Sequence, residues 1–320
     1  MYEDGQYMEN IFFYDIYGIS LMSNVPIPGY EMSRTLGDLD KSDVILSWYP
    51  ERRNSLLKSE NLIGSNGYVD CYGTQYGKLL YTPDLCIEIE ANSVKIFSPC
   101  EHLREALLIF VNAGIVLCLY MRGFLVLHAS AACNKDSLLA FTSGSGGGKS
   151  TLCFYLVITN GMCFFGDDIV PVRIEGESVY AYPVNSGNPK AEISITQNVP
   201  MDRMACRGIS YAYDDVEFYF HLSDQIKQNK KRKLDCLYVL ESTENGATCI
   251  VDYEDSSVSA KILASCHSTW ALTRKEKVLL VVRSRKIAES IRVSELRYER
   301  VYERLPEVYH TLLWHIQGIR

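Results

Sequence analysis

No two of the eleven cysteines are spaced C-x-x-C, and their irregular distribution excludes a zinc ribbon or a regular disulfide framework. They read as reduced cytosolic thiols. Basic residues are in deficit as well. Lys plus Arg number 32 against 39 Asp plus Glu, a formal net charge of -7, so no global positive field exists to collect nucleic acid phosphates. The N-terminal "MYEDGQYMEN" is acidic and polar where a secretion signal would be basic and then apolar. The run that invites a membrane reading, Ala106 to Met121, holds 16 residues, contains Asn112 and stops at Arg122. A spanning helix needs about 20 apolar residues, so a buried core helix is expected there. Repeats and low-complexity segments are lacking. These absences point to a cytoplasmic protein with neither nucleic acid nor membrane as partner, and they leave its oligomeric state open.

What is present is ordinary globular material: 320 residues, 47% apolar and 22% charged. That length exceeds the size at which one hydrophobic core usually stops growing, and two units are expected. Residues 1–100 read as a β-rich N-terminal module, because "NIFFYDIYGISL", "SDVILSW", "GYVDCYG", "GKLLYT", "CIEIE" and "SVKIFSP" are short segments rich in aromatic and β-branched residues, with "ANS" as a hairpin tip. Residues 101–320 read as an α/β (α+β) nucleotide-binding catalytic domain. It opens with a helix from about His102 to Met121, with Glu101 before it and Arg122-Gly123 after it.

Two apolar runs, "FLVLHASAA" and "SLLAFTS", flank the turn "CNKD" and predict neighbouring strands. They deliver the chain into "GSGGGKST", and "STLCFYLVITN" then has helical spacing up to a C-cap at Asn160-Gly161. "MCFF" predicts a strand, and "IVPVRIEGESVYAYP" a hairpin turning at Glu175-Gly176. Farther on, "LDCLYVLES" and "TCIVDYE" predict strands, "SSVSAKILASCH" a serine-capped helix, and the C-terminal stretch a strand followed by a closing helix.

The glycine turn carries the chemistry. A phosphate-binding loop brings backbone N–H groups onto phosphate oxygens without intervening Cβ atoms, and the helix that follows adds its positive end. Ser143, Gly144, Ser145, Gly146, Gly147 and Gly148 supply such a loop. Lys149 would reach the β- and γ-phosphates, the Ser150 hydroxyl would sit on Mg2+, and Thr151 completes the first helical turn. Ser143 replaces the first glycine of G-x-x-x-x-G-K-[ST], a modest departure at a position that needs a small residue.

Asp167 and Asp168 end the next predicted strand. Adjacent carboxylates repel unless a cation or proton lies between them. One would hold the metal, and the other would accept a proton from an attacking hydroxyl. His128 sits in the otherwise apolar "LVLHASA", where a lone histidine is more often a hydrogen-bonded core residue. The basic run from Lys227 to Lys233 reads first as a solvated loop and second as a phosphate or acidic-peptide contact. Lys190 is a further cation that could approach the site.

"RGFLVLHASAACNKDSLLAFTSGSGGGKSTL" followed by "GMCFFGDDIVPV" resembles the HPr kinase/phosphorylase superfamily, in which a His-Ala strand, a phosphate loop and an Asp-Asp strand end occur in this order. Within it, the chain is most similar to HPr-kinase-related proteins encoded beside ribosomally made peptides, including lasso peptide kinases. The resemblance implies a core like that of phosphoenolpyruvate carboxykinase. It also implies transfer of phosphate from ATP, with Mg2+, to a serine of a peptide or protein. By the same resemblance Asp167 would be the base, Asp168 would lie in the metal's shell with Ser150, and His128 and Lys149 would flank the transferred phosphate. "CRGIS", Cys206 to Ser210, faintly matches a signature of true HPr kinases. A small-molecule acceptor such as free serine or a sugar, and a non-catalytic nucleotide-binding regulator, are the alternatives from other classes.

Overall fold

A computed structural model describes residues 11–30, 32, 42–52, 61–184, 190–192, 209–210, 217–219, 227–244, 247–254 and 256–318. The chain is mixed α/β and divides into two compact units, Met1–Phe124 with Ser268–Leu279, and Leu125–His267 with Leu280–Arg320. This division differs from the boundary expected at residue 100. The long apolar helix goes with the first unit, which also recruits a segment from far along the sequence.

The first unit is built on eight strands: β1 (Phe12–Ile16), β2 (Ile19–Ser23), β3 (Val44–Tyr49), β4 (Leu62–Ser65), β5 (Asp70–Gly73), β6 (Lys78–Tyr81), β7 (Cys86–Ile89) and β8 (Ser93–Phe97). Their order is β1-β2-β3-β8-β7-β6-β5-β4. Burial alternates along β2 and β3, which turns one face of each of these two strands to the core. The helix that follows runs as α1 (Leu103–Ile109), a π-turn over Phe110–Gly114, and α2 (Ile115–Met121). The segment Cys100–Met121 is long and apolar enough to cross a membrane by composition, yet 72% of its most apolar window is buried within the fold, as expected of a core helix. The recruited segment is held by Lys78, which is 3% exposed and donates to Ala271 O at 2.8 Å and Glu276 Oε2 at 2.7 Å. A buried ammonium without such partners would be strongly disfavoured.

The second unit contains β9 (Leu125–Cys133), β10 (Leu138–Thr142), α3 (Lys149–Ile158), β11 (Cys163–Gly166), β12 (Ile169–Glu175) and β13 (Ser178–Ala181). Next come the short strands β14 (Lys190–Glu192), β15 (Ile209–Ser210) and β16 (Glu217–Tyr219), which form a small sheet of their own, and then β17 (Arg232–Lys233), β18 (Cys236–Ser242) and β19 (Cys249–Asp252). Helix α4 (Ser256–Ala264) follows. Helix α5 (Arg274–Ala288) begins in the first unit and ends in the second, and β20 (Arg292–Tyr298) and α6 (Leu305–Gln317) close the chain. Helix α5, strand β4 and the short strands β14 to β17 are additions to the elements expected from sequence.

The main sheet runs β17-β13-β12-β9-β10-β18-β20-β19, with β11 also on β9. Strand β10 is buried at every position and β9 at all but His128, which explains their unbroken apolar runs. β10, β18 and β20 are mutually parallel, so their C-terminal ends share the edge from which the glycine loop departs. Ligands of open α/β sheets bind at that edge. Helix α3 is buried from Leu152 to Ile158, apolar all round as a helix enclosed by protein should be.

The basic run lies partly in β17. Lys231 pairs with Glu175 on β12, and Arg232 donates to Asn134 O and to Lys135 O, the latter at 2.9 Å. These two cations therefore serve the fold. Lys190 enters β14 through its backbone, and "CRGIS" lies outside the described residues except for Ile209 and Ser210.

Candidate functional site

The glycine loop joins β10 to α3 and closes as a tight turn, with Gly147 N donating to Gly144 O at 3.1 Å. Two of its glycines are required by backbone geometry: Gly146 has φ +69° and Gly148, which caps α3, has φ +85°, a region that L side chains rarely adopt. Space matters at Gly147, where a Cβ atom would lie 2.0 Å from Ser143 Oγ, whereas Gly144 and Gly146 face open space. Ser145 is exposed with them. The loop thus offers a backbone-lined concavity at a helix N-terminus, the arrangement that accepts phosphate.

Lys149 is folded back over this loop. Its Nζ lies 3.2 Å from Ser143 O and 3.3 Å from Gly144 O, and the side chain is buried. Burial lowers its pKa from lysine's ordinary value, the carboxylates of Asp168 and Asp167 oppose that shift, and the charge of Arg300 reinforces it. Two carbonyls are weak company for an ammonium, so an arriving anion would compete well for it. Thr151 lies in the same first turn of α3.

The two aspartates occupy a place that the sequence could not specify. Strand β9 pairs with β11 through Ala131, opposite Gly166, and with β12 through His128, opposite Ile169. Asp167 and Asp168 fill the gap where β9 changes partner. Asp168 makes the kink with φ +69°, which costs a non-glycine residue about 1–3 kcal/mol and persists where the surroundings impose it.

The kink sends the two carboxylates to different partners. Asp167 Oδ1 accepts from Ser150 Oγ at 2.9 Å, Ser130 Oγ at 2.5 Å and the Asp168 N–H at 3.1 Å. Asp168 Oδ1 lies 3.0 Å from His128 Nε2, and its Oδ2 lies 4.0 Å from His267 Nε2. The two imidazoles meet edge to face, ring centroids 5.2 Å apart. Asp167, and not Asp168, is therefore the carboxylate hydrogen-bonded to Ser150, whereas the resemblance implied Asp168 beside Ser150 in the metal's shell.

His128 is fixed from the backbone too, since its N–H donates to Ser265 O at 2.7 Å while its carbonyl accepts from Thr142 Oγ1 at 3.0 Å. His267 and Ser130 were not anticipated. His267 follows α4 in "ASCHST" and comes to the site through long-range pairing, its N–H donating to Val126 O at 2.9 Å. Nothing local in the sequence marks it.

The donor set suits magnesium. A hydroxyl and a carboxylate, Ser150 and Asp167, are hard oxygen donors at bonding distance from one another. Among the described residues no group of three or more His, Cys, Asp or Glu side chains could hold a metal unaided. Mg2+ does not need one, because it commonly takes one or two protein oxygens and completes its shell with phosphates and water.

No protein-family model matches the sequence, and no curated protein does. Among solved structures, the Hpr(Ser) kinase/phosphatase from Coxiella burnetii aligns with a TM-score of 0.33 and 10% identity over 61% of this chain and 97% of that one. So slight a likeness leaves the geometry of the site to carry the functional reading.

Proposed function

We propose that this chain is a phosphotransferase that moves the terminal phosphoryl group of ATP, with Mg2+, onto a serine hydroxyl of a peptide or protein. The second unit is then a phosphoenolpyruvate carboxykinase-like P-loop core. The observation that carries the reading is one continuous arrangement: glycine loop, Lys149, Ser150 hydrogen-bonded to Asp167, and Asp168 paired to His128.

In this reading the loop N–H groups and Lys149 hold the phosphates, and Ser150 with Asp167 would hold Mg2+. The ion, when bound, neutralises charge on the phosphates. Asp168 takes the proton of the acceptor hydroxyl, a task open to it because its carboxylate faces His128 and His267 instead of Ser150. His128 orients that carboxylate and stabilises its charge. Most of the catalysis asked of the protein is positioning and electrostatics.

The test is incubation of the full chain with γ-labelled ATP and Mg2+ against ribosomally made precursor peptides, HPr and free serine, with the labelled residue mapped. Label on a peptide or protein serine supports the reading. Label on free serine alone contradicts its acceptor class, and ATP binding without transfer to any acceptor contradicts the enzyme.

A further inference from the structure

Beyond the end of β10 the sheet continues as β18 and β20, with β19 still paired to β20 at Leu296 and Arg297. The last β10 pair is Thr142 with Val239, whereas β18 and β20 go on pairing through Leu240 with Leu296, Glu241 with Arg297 and Ser242 with Tyr298. This overhang stands at the edge where the glycine loop begins. Tyr298, at its tip, is 2% exposed, and its hydroxyl lies 3.2 Å from where a Cβ of Gly148 would be. Four residues later Tyr302 packs edge to face on Tyr155 of α3, centroids 6.4 Å apart. The segment between these tyrosines is therefore fixed at both ends beside the phosphate loop and its helix.

Arg300 lies between them and is exposed. Its Nη2 reaches Leu240 O of the overhang at 3.5 Å, a long contact that holds the side chain only weakly. The nearby carboxylates are engaged with another cation: Arg304 lies 3.6 Å from Glu299 and 2.9 Å from Glu307. Arg300 makes no ion pair among the described residues, and its place two residues beyond Tyr298, which packs on Gly148, brings a second cation beside the loop that carries Lys149. A guanidinium is suited to gripping phosphate oxygens by two donors at once.

We infer that Arg300 is a second cationic contact, beside Lys149, for the terminal phosphates of the bound nucleotide. The inference rests on the phosphotransferase reading of the same site, and it adds to the loop a residue from just beyond the C-terminal end of β20, which is parallel to β10 and separated from it by β18.

The test is calorimetric titration of the wild-type chain, Arg300→Gln and Arg300→Lys with Mg-ATP and, separately, AMP, alongside thermal melts. Arg300→Gln is expected to weaken ATP at least about tenfold and AMP less than about twofold, with an unchanged melting temperature and partial recovery in Arg300→Lys. Wild-type binding of ATP with equal affinity in Arg300→Gln overturns the assignment and leaves the loop reading standing. Equal weakening of ATP and AMP, or a lowered melting temperature, overturns it in favour of a structural role. Failure of the wild-type chain to bind ATP overturns the loop reading and Arg300 with it.

Discussion

Ser150 Oγ, in the first turn of α3, donates to Asp167 Oδ1 at 2.9 Å across a separation of 17 residues. One hydrogen bond thus ties the phosphate loop to the turn that carries both aspartates. Loop and carboxylates act as a unit, and the residues of a unit do not contribute additively.

Ser150→Ala and Asp167→Asn should each weaken Mg-dependent ATP binding, and the double variant should be no worse than the weaker single one. A coupling energy of about 0.5–3 kcal/mol is expected. Isothermal titration of the four proteins at one Mg2+ concentration measures it, and strictly additive losses would separate the two residues.

Gly148→Ala places a Cβ at φ +85°, 3.2 Å from the Tyr298 hydroxyl. The backbone strain alone costs about 1–2 kcal/mol. ATP affinity should fall about tenfold or more as the loop relaxes away from its turn. Gly144→Ala meets nothing within 4 Å and has no such φ, so its binding should stay within about threefold of wild type, and parallel titrations compare the two.

The strand-turn-helix around Lys149 was legible because each element carries a local signal: unbroken apolar runs, a glycine cluster and a helical stretch with a good C-cap. Asp167 and Asp168 were legible as a pair but not by role, since the left-handed turn at Asp168 and the change of partner along β9 arise only from long-range pairing. Helix α5 is absent from the elements expected from sequence, its apolar residues running together as "VLLVV" without a one-sided helical spacing. In the structure Val278, Leu279, Val281 and Val282 are exposed, and the flanking Arg, Lys and Glu residues favour a helix. β4 is short and largely unburied, so it has no alternating pattern to find. His267 and Arg300 lie in unremarkable local sequence and reach the site through the sheet.

Thiol chemistry offers a check on the packing. Burial pushes Cys118 and Cys236 up to about 12 and Cys71 up to about 11, whereas Cys100 and Cys249 are exposed. Native protein treated briefly with iodoacetamide at pH 8 should be alkylated at Cys100 and Cys249 and spared at the other three, because the thiolate is the reactive form. Peptide mass spectrometry before and after denaturation reads this directly.

Acid titration should expose the cluster at Glu175. Hydrogen bonds from Lys231 and Tyr182 lower the Glu175 carboxyl to about 2. A carboxyl depressed on folding stabilises the protein above its unfolded value and loses that contribution as pH falls towards the folded one. Glu175→Gln should therefore be less stable than wild type at pH 7, by at most about 1 kcal/mol for so accessible a pair. The gap should shrink between about pH 4.5 and pH 2. Urea melts across that range test it, and a gap that widened on acidification would refute the assignment.

The division of labour between the aspartates is the central claim, and label transfer by Asp168→Asn tests it most directly. With an acceptor identified for the wild-type chain, Asp168→Asn should bind Mg-ATP with near-normal affinity and transfer label about 10²–10⁴-fold more slowly, the range expected on removing a general base. Near-normal transfer by Asp168→Asn, with transfer abolished and ATP binding intact in Asp167→Asn, would contradict it and return the base to Asp167.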